Sequence, residues 1–173
     1  MIIFEATPGA DERKGTMAID GHSVPCAFGK NGVIAAADKR EGDGKSPAGT
    51  WPIRNVYWRA DRGGRPITCF NTIAIEPNFG WCDTPTDSNY NRFVTHPYPV
   101  SAEHLWRDDE LYDIIVELGH NDSPPVPFMG SAIFLHCAKP DCPPTEGCVA
   151  LNISDLRRLL KIATPGSALR IIG

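Results

Sequence analysis

The chain has 173 residues, 42% hydrophobic and 22% charged, the size and make-up of one domain that buries its own core without a disulfide or metal staple. A formal charge of -4 at pH 7 excludes the electrostatic footprint of a nucleic-acid binder or of a protein held on an anionic membrane. No stretch has the length of a membrane span, and the start, MIIFEATPGADERKG, lacks the basic region, long apolar run and cleavage site of a secretory signal. The expectation is a cytoplasmic protein whose six cysteines are mostly free, buried thiols.

Sixteen glycines and sixteen prolines punctuate short apolar runs, a pattern that favours strands over long helices. In chain order, residues 1–6, 16–20, 23–28, 51–58, 112–118, 131–136 and 168–172 read as strands, several rich in β-branched and aromatic side chains. Residues 76–100 are dense in Pro, Asn, Asp, Tyr and Trp without a period, and a loop of that length in one domain is often functional. A short helix is expected over 102–110, capped by Ser101. A stronger one begins at Ser154, carries the stripe Leu156, Leu159 and Leu160, and stops before Thr164-Pro165-Gly166. There is no repeat and no linker, so residues 1–173 form a single domain. The expected fold is mainly β: a curved mixed sheet closing toward a sandwich or barrel, with about two peripheral helices.

The densest chemistry lies in GSAIFLHCAKPDCPPTEGCVAL, residues 130–151, which holds three cysteines and a histidine. His136 closes an apolar strand, and Cys148 follows a turn-rich segment that returns the chain to that strand's end. A cysteine directly after Gly147 can present its sulfur and the amides of Gly147 and Cys148 to one cleft. The imidazole of His136 can then take the thiol proton, lower the effective pKa of Cys148, and later protonate a leaving amine. Packing is the competing explanation for both residues, since a lone cysteine is more often a small buried hydrophobe.

The run His136, then Thr145-Glu146-Gly147-Cys148-Val149, resembles the signature of the L,D-transpeptidase catalytic domain, the YkuD-like family, in which a histidine precedes a [Ser/Thr]-x-Gly-Cys element. Lys45-Ser46-Pro47-Ala48-Gly49-Thr50 is similar to the family's Ser/Thr-Pro-x-Gly motif, and the segments GWCD, YNR and LWRDDELYDIIVELGHN extend the likeness over most of the chain. Glu146 and Ala150 stand where many members carry His and Arg. The resemblance is to the compact single-domain branch, and it implies L,D-carboxypeptidase action on muropeptide tetrapeptides in murein recycling. It also implies no cofactor and covalent inhibition by carbapenems. The alternatives are an L,D-transpeptidase that forms or exchanges peptidoglycan cross-links, and a non-catalytic peptide-binding or zinc-structured module.

Cys137 and Cys142, with His136 and Cys148, give four soft ligands, but the spacing departs from the paired knuckles of structural zinc, and no metal site is expected. Cys137 alternates with His136 and should face the core; Cys142 lies in a proline-rich loop. Trp81, Asp83, Tyr90, Asn91 and Arg92 suit recognition of a peptide with several charges, or else they plug and turn a structural loop. His120 and Asn121, at a strand end, are substrate contacts or turn residues. Thr145 and Glu146, beside the Gly-Cys pair, join the candidate contacts.

Overall fold

Phe4 and Ala6, Met17 and Ile19, Val24 and Cys26 are buried, while the residues between them face water. That two-residue period marks strands covering a core on one side. The computed structural model describes residues 1–173. In order its strands are β1 (Ile3–Pro8), β2 (Lys14–Ile19), β3 (His22–Ala27), β4 (Val33–Ala35), β5 (Ser46–Trp58), β6 (Thr72–Ala74), β7 (Phe79–Cys82), β8 (Phe93–Thr95), β9 (Ala102–His104), β10 (Ile114–Leu118), β11 (Phe134–Cys137), β12 (Val149–Leu151) and β13 (Ala168–Ile171). One helix, α1 (Ile153–Ile162), lies between the last two strands.

The main sheet runs β10-β11-β12-β3-β2-β1-β13-β5, and β10 pairs with β5 to close the ring. Closure is antiparallel, with Ile115 opposite Tyr57 and Val116 opposite Val56, and it removes the open edges that a flat sheet would expose. The ring is mixed, because β1–β13 and β11–β12 are parallel. Strands β4 and β6 lie outside it, each parallel to β5. Inside sits a cluster of 23 buried apolar residues, including Phe4, Met17, Leu135, Cys137, Val149 and Leu151, into which α1 places Leu156, Leu159 and Leu160. A second, three-stranded sheet, β8-β7-β9, sends Trp81 against a smaller cluster on the outside of the barrel. Tyr57, Tyr112, Ile115, Phe134 and Cys148 belong to it.

Two expectations about helices change. Residues 102–110 form no helix: β9 pairs with β7, Glu103 lying opposite Trp81, and Leu105 is fully buried beneath the small sheet. Arg107 grips Asp109, two residues on, with bonds of 2.8 and 2.7 Å, a pairing that a helix would point apart. In α1 the cap is Asn152, two residues before Ser154, and its Oδ1 accepts from the Ser154 amide at 2.9 Å. The seven strands read from the sequence are present with shifted ends; β4, β6, β8, β9 and β12, of three residues each, are too short for periodicity to reveal, and β7 falls in the aperiodic 76–100 segment.

Candidate active site

The parallel pairing of β11 with β12 sets Leu135 beside Val149, His136 beside Ala150 and Cys137 beside Leu151. Side chains alternate across a strand, so Leu135, Cys137, Val149 and Leu151 enter the barrel core. His136, Cys148 and Ala150 face the other way and line one cavity of about 640 Å³. Cys148 therefore shares a face with His136, one strand away and two residues out of step, while Cys137 is turned from both. The four soft ligands do not converge.

The turn carrying Cys148 is held from both sides. Ser46 Oγ donates to the Cys148 carbonyl at 3.1 Å and itself accepts from the Gly29 amide at 2.9 Å. Thr145 Oγ1 donates to the same carbonyl at 2.7 Å. The Ser-Pro-x-Gly segment is thus a clamp on the backbone of Cys148, and Ser46 is fully buried in that role. Gly147 has φ +137°, and a Cβ there would meet the Lys45 carbonyl oxygen at 3.0 Å, so the residue before Cys148 must be glycine. The Gly147 amide donates to Thr145 Oγ1 at 3.1 Å, whereas the Cys148 amide donates to no group of the protein. Of the two amides expected to receive an oxyanion, only that of Cys148 is open.

The sulfur is equally defined. Phe134 N donates to Cys148 Sγ at 3.3 Å, and the thiol donates to the Ala132 carbonyl at 3.2 Å. Ala132 has φ +51°, a left-handed conformation costing about 1 kcal/mol or more in a non-glycine residue. It is fixed by its amide, which donates to Asn91 Oδ1 at 3.0 Å. Burial pushes the Cys148 thiol up to about 12, with the Glu103 carboxylate adding to the shift. Burial likewise pulls His136 down to about 4. His136 Nδ1 lies 2.8 Å from the Cys137 carbonyl, which can only accept, so in the neutral ring Nδ1 carries the proton and Nε2 keeps its lone pair. The resting pair is neutral thiol and neutral imidazole, not the lowered thiol pKa that the sequence suggested. The site can run by general-base transfer, with the proton moving as the sulfur attacks.

A scan against protein-family models matches residues 12–171 to YkuD, the L,D-transpeptidase catalytic domain. The chain belongs to that family. No curated protein matches it. Among solved structures, Mycobacterium tuberculosis L,D-transpeptidase 1 is similar at 9% identity and TM-score 0.42, over 98% of this chain and 59% of that one. An L,D-transpeptidase from Mycobacterium smegmatis is similar at 11% identity and TM-score 0.43, over 98% and 58%. The chain thus spans less than two thirds of the length of either.

Within this YkuD domain the other candidate residues divide. Asp83, Thr145 and Glu146 line the cavity with Cys148; Asp83 Oδ1 is buried without a partner, and Glu146 reaches outward to Lys30 at 2.7 Å. Trp81, Tyr90, Asn91, Arg92, His120 and Asn121 do not line it. Asn91 is a four-way clip: Oδ1 accepts from Trp81 Nε1 and the Ala132 amide, and Nδ2 donates to the carbonyls of His120 and Asn121. Asn121 staples its own loop to Val126 and Gly130. His120 is buried edge-on against Trp51, with ring centroids 4.7 Å apart. The Tyr90 hydroxyl donates to Glu41, placing it one bond behind the wall, and Arg92 borders a separate shallow depression with Trp81 and Asn91.

The cavity also uses residues that sequence reasoning passed over. Glu41, Glu103, Lys39, Arg107, Lys139 and Tyr112 all line it. The Tyr112 hydroxyl donates to Glu103, and its ring meets the edge of His136 with centroids 5.3 Å apart. The only sequence trace of Lys39 and Glu41 is the glycine-rich run KREGDGKS ahead of β5. Arg107 and Tyr112 lie in the segment LWRDDELYDIIVELGHN that carries part of the likeness, but nothing local marks Glu103 or Arg107 as cavity residues, because a small sheet must form before they face the barrel. No helix is long and apolar enough to cross a membrane.

Proposed function

We propose that this domain is a cysteine-dependent acyl transferase acting on peptidoglycan-derived peptides, and that it works as an L,D-carboxypeptidase on muropeptide tetrapeptides. The carrying observation is that Cys148 and His136 share one cavity-lining face of β11 and β12, with the imidazole held by Cys137 so that Nε2 is the free base. Cys148 Sγ bonds to the carbonyl carbon of the L-centre as its proton passes to His136 Nε2, and the carbonyl oxygen takes the displaced electron pair beside the Cys148 amide. The oxygen's pair then returns, the C–N bond breaks, and the departing D-alanine amine takes the proton from Nε2. A thioester remains. Water attacks it, gives its proton to His136 and releases the shortened peptide, and the thiol recovers that proton.

Hydrolysis asks least of the site, since water needs no second peptide site. The cross-linking alternative draws on one observation: the cavity carries the carboxylates of Glu41, Asp83 and Glu103, which would hold the ammonium of an amine acceptor before it deprotonates. Incubation with an L,D-tetrapeptide, with and without a free D-amino acid, decides between them by mass. Tripeptide plus D-alanine in both samples supports the carboxypeptidase. An exchanged tetrapeptide as main product supports the transferase, and cleavage confined to D,D-linked pentapeptide contradicts both. A carbapenem, acylating the same sulfur through its strained lactam, should block the reaction.

A further inference from the structure

Lys39 is the least exposed charged residue of the protein, at 2%, and a lysine is almost never fully buried unless its charge is paired. Its stem passes two glycines in the left-handed region. A Cβ on Gly130 (φ +93°) would meet Lys39 Cε at 3.0 Å, and the Cβ position of Gly147 lies 3.7 Å from Lys39 Nζ. The ammonium therefore sits beside the turn that presents Cys148, in the wall of the same cavity. An ammonium has three protons. Lys39 gives one to the Arg40 carbonyl at 3.0 Å and one to Asp43 Oδ1, and the third meets no acceptor in the protein.

The oxyanion site is short by one donor on the same side, because the Gly147 amide is spent on Thr145 Oγ1 while the Cys148 amide stands open. We propose that Lys39 is the second oxyanion donor, its uncommitted ammonium proton joining the Cys148 amide on the carbonyl oxygen as Cys148 attacks. The inference rests on the reading of Cys148 as nucleophile and deepens it. Asp43 fixes the donor: its carboxylate also accepts from the amides of Arg40 and Lys45 at 2.8 and 2.9 Å, so Nζ is tied to a rigid loop and needs no reorganisation when charge appears on the oxygen. A fixed cation there also favours a thiolate on Cys148, in the direction opposite to Glu103.

Two reagents separate these roles. Iodoacetamide alkylates a thiolate by displacement at carbon and builds no oxyanion, whereas a carbapenem must pass through one. The ratio of carbapenem acylation to iodoacetamide alkylation at Cys148, read by intact mass at one pH, cancels any change in thiolate population. In Lys39→Met that ratio should fall by about 10²- to 10³-fold, the cost of losing one oxyanion donor. The double variant Lys39→Met with Asp43→Asn leaves no buried unpaired carboxylate and retains an oxygen acceptor for the loop. With melting near that of the parent, it should show the same fall. A ratio within about threefold of the parent in the folded double variant overturns the role of Lys39 while leaving Cys148 as nucleophile. A carbapenem adduct on the parent protein that maps away from Cys148 overturns the underlying reading as well.

Discussion

The two faces of the β11–β12 pair hold the same kinds of residue to different ends. Inward, Cys137 sits among Leu135, Val149 and Leu151, its sulfur 3.8 Å from the Ile114 carbonyl. Outward, Cys148 sits above Phe134 with an amide donor on its sulfur and a histidine one strand away. Burial pushes both thiols up to about 12. Neither pKa nor burial tells the reactive cysteine from the inert one. The distinguishing features are a cavity in front of the sulfur, a base whose free nitrogen is fixed by its own backbone bond, and an open amide for the oxygen.

The comparison breaks most sharply by exchanging one atom on each face. Cys148→Ser should lower turnover by about 10⁴-fold or more, because a hydroxyl is far less acidic and the site is built around a thiol. Cys137→Ser should keep turnover and cost about 1–3 kcal/mol of stability, from burying a hydroxyl in an apolar cluster. D-alanine release and urea melts on both variants check this; comparable turnover losses would erase the distinction between the faces. His136→Ala should cost about 10²- to 10⁴-fold in rate, the range for a positioned general base. An unchanged pH–rate profile in that variant would remove His136 from the chemistry.

Acid tests the neutral imidazole. His136 titrates near 6.5 when unfolded and near 4 in the fold, so between those values the unfolded chain binds a proton that the native protein does not. Its stabilising contribution is fully present above about pH 6.5, declines as pH falls, and is lost by about pH 4. The loss comes to about 3 kcal/mol. His120, buried against Trp51 and also lowered to about 4, adds a loss of the same sign, so His120→Phe should flatten the curve without abolishing its slope. Unfolding free energies that do not change from pH 7 to pH 4.5 would contradict a buried neutral His136.

Smaller still is Gly147→Ala, at about 1–3 kcal/mol, since φ +137° suits no L side chain and the new methyl must press on the Lys45 carbonyl. Circular dichroism melts measure it, and carbapenem acylation should slow in the same variant. Cys69→Ser, at an exposed thiol, should change both stability and rate by less than about 0.5 kcal/mol. A larger fall in rate would point to redox chemistry outside the cavity.

What could be read in advance follows from how local each signal is. That His136 and Cys137 face opposite ways is a matter of strand parity, and parity is written in the sequence; the register of β12 that puts Cys148 and Ala150 on the His136 face is not. The leucine stripe of α1 is written there too, and it lands in the core at Leu156, Leu159 and Leu160. The loop residues were harder. Asn91 and Asn121 have the polarity of substrate contacts, yet they take left-handed conformations and spend their amides on carbonyls brought in from elsewhere in the fold. The 102–110 segment has helical propensity, but Leu105 gains more by burial under the small sheet than a short isolated helix would return. Lys39 reads as a solvated charge in a hydrophilic run until Gly130 and Gly147 are folded against it.

The most direct test of the account is the intact mass of the protein quenched in acid shortly after mixing with an L,D-tetrapeptide, followed by peptide mapping. The account predicts an adduct of the tripeptide acyl group on Cys148, absent in Cys148→Ser and present in Cys137→Ser, that decays as free tripeptide appears. Turnover that proceeds with no trapped thioester in the parent, or an adduct on any residue other than Cys148, would contradict it.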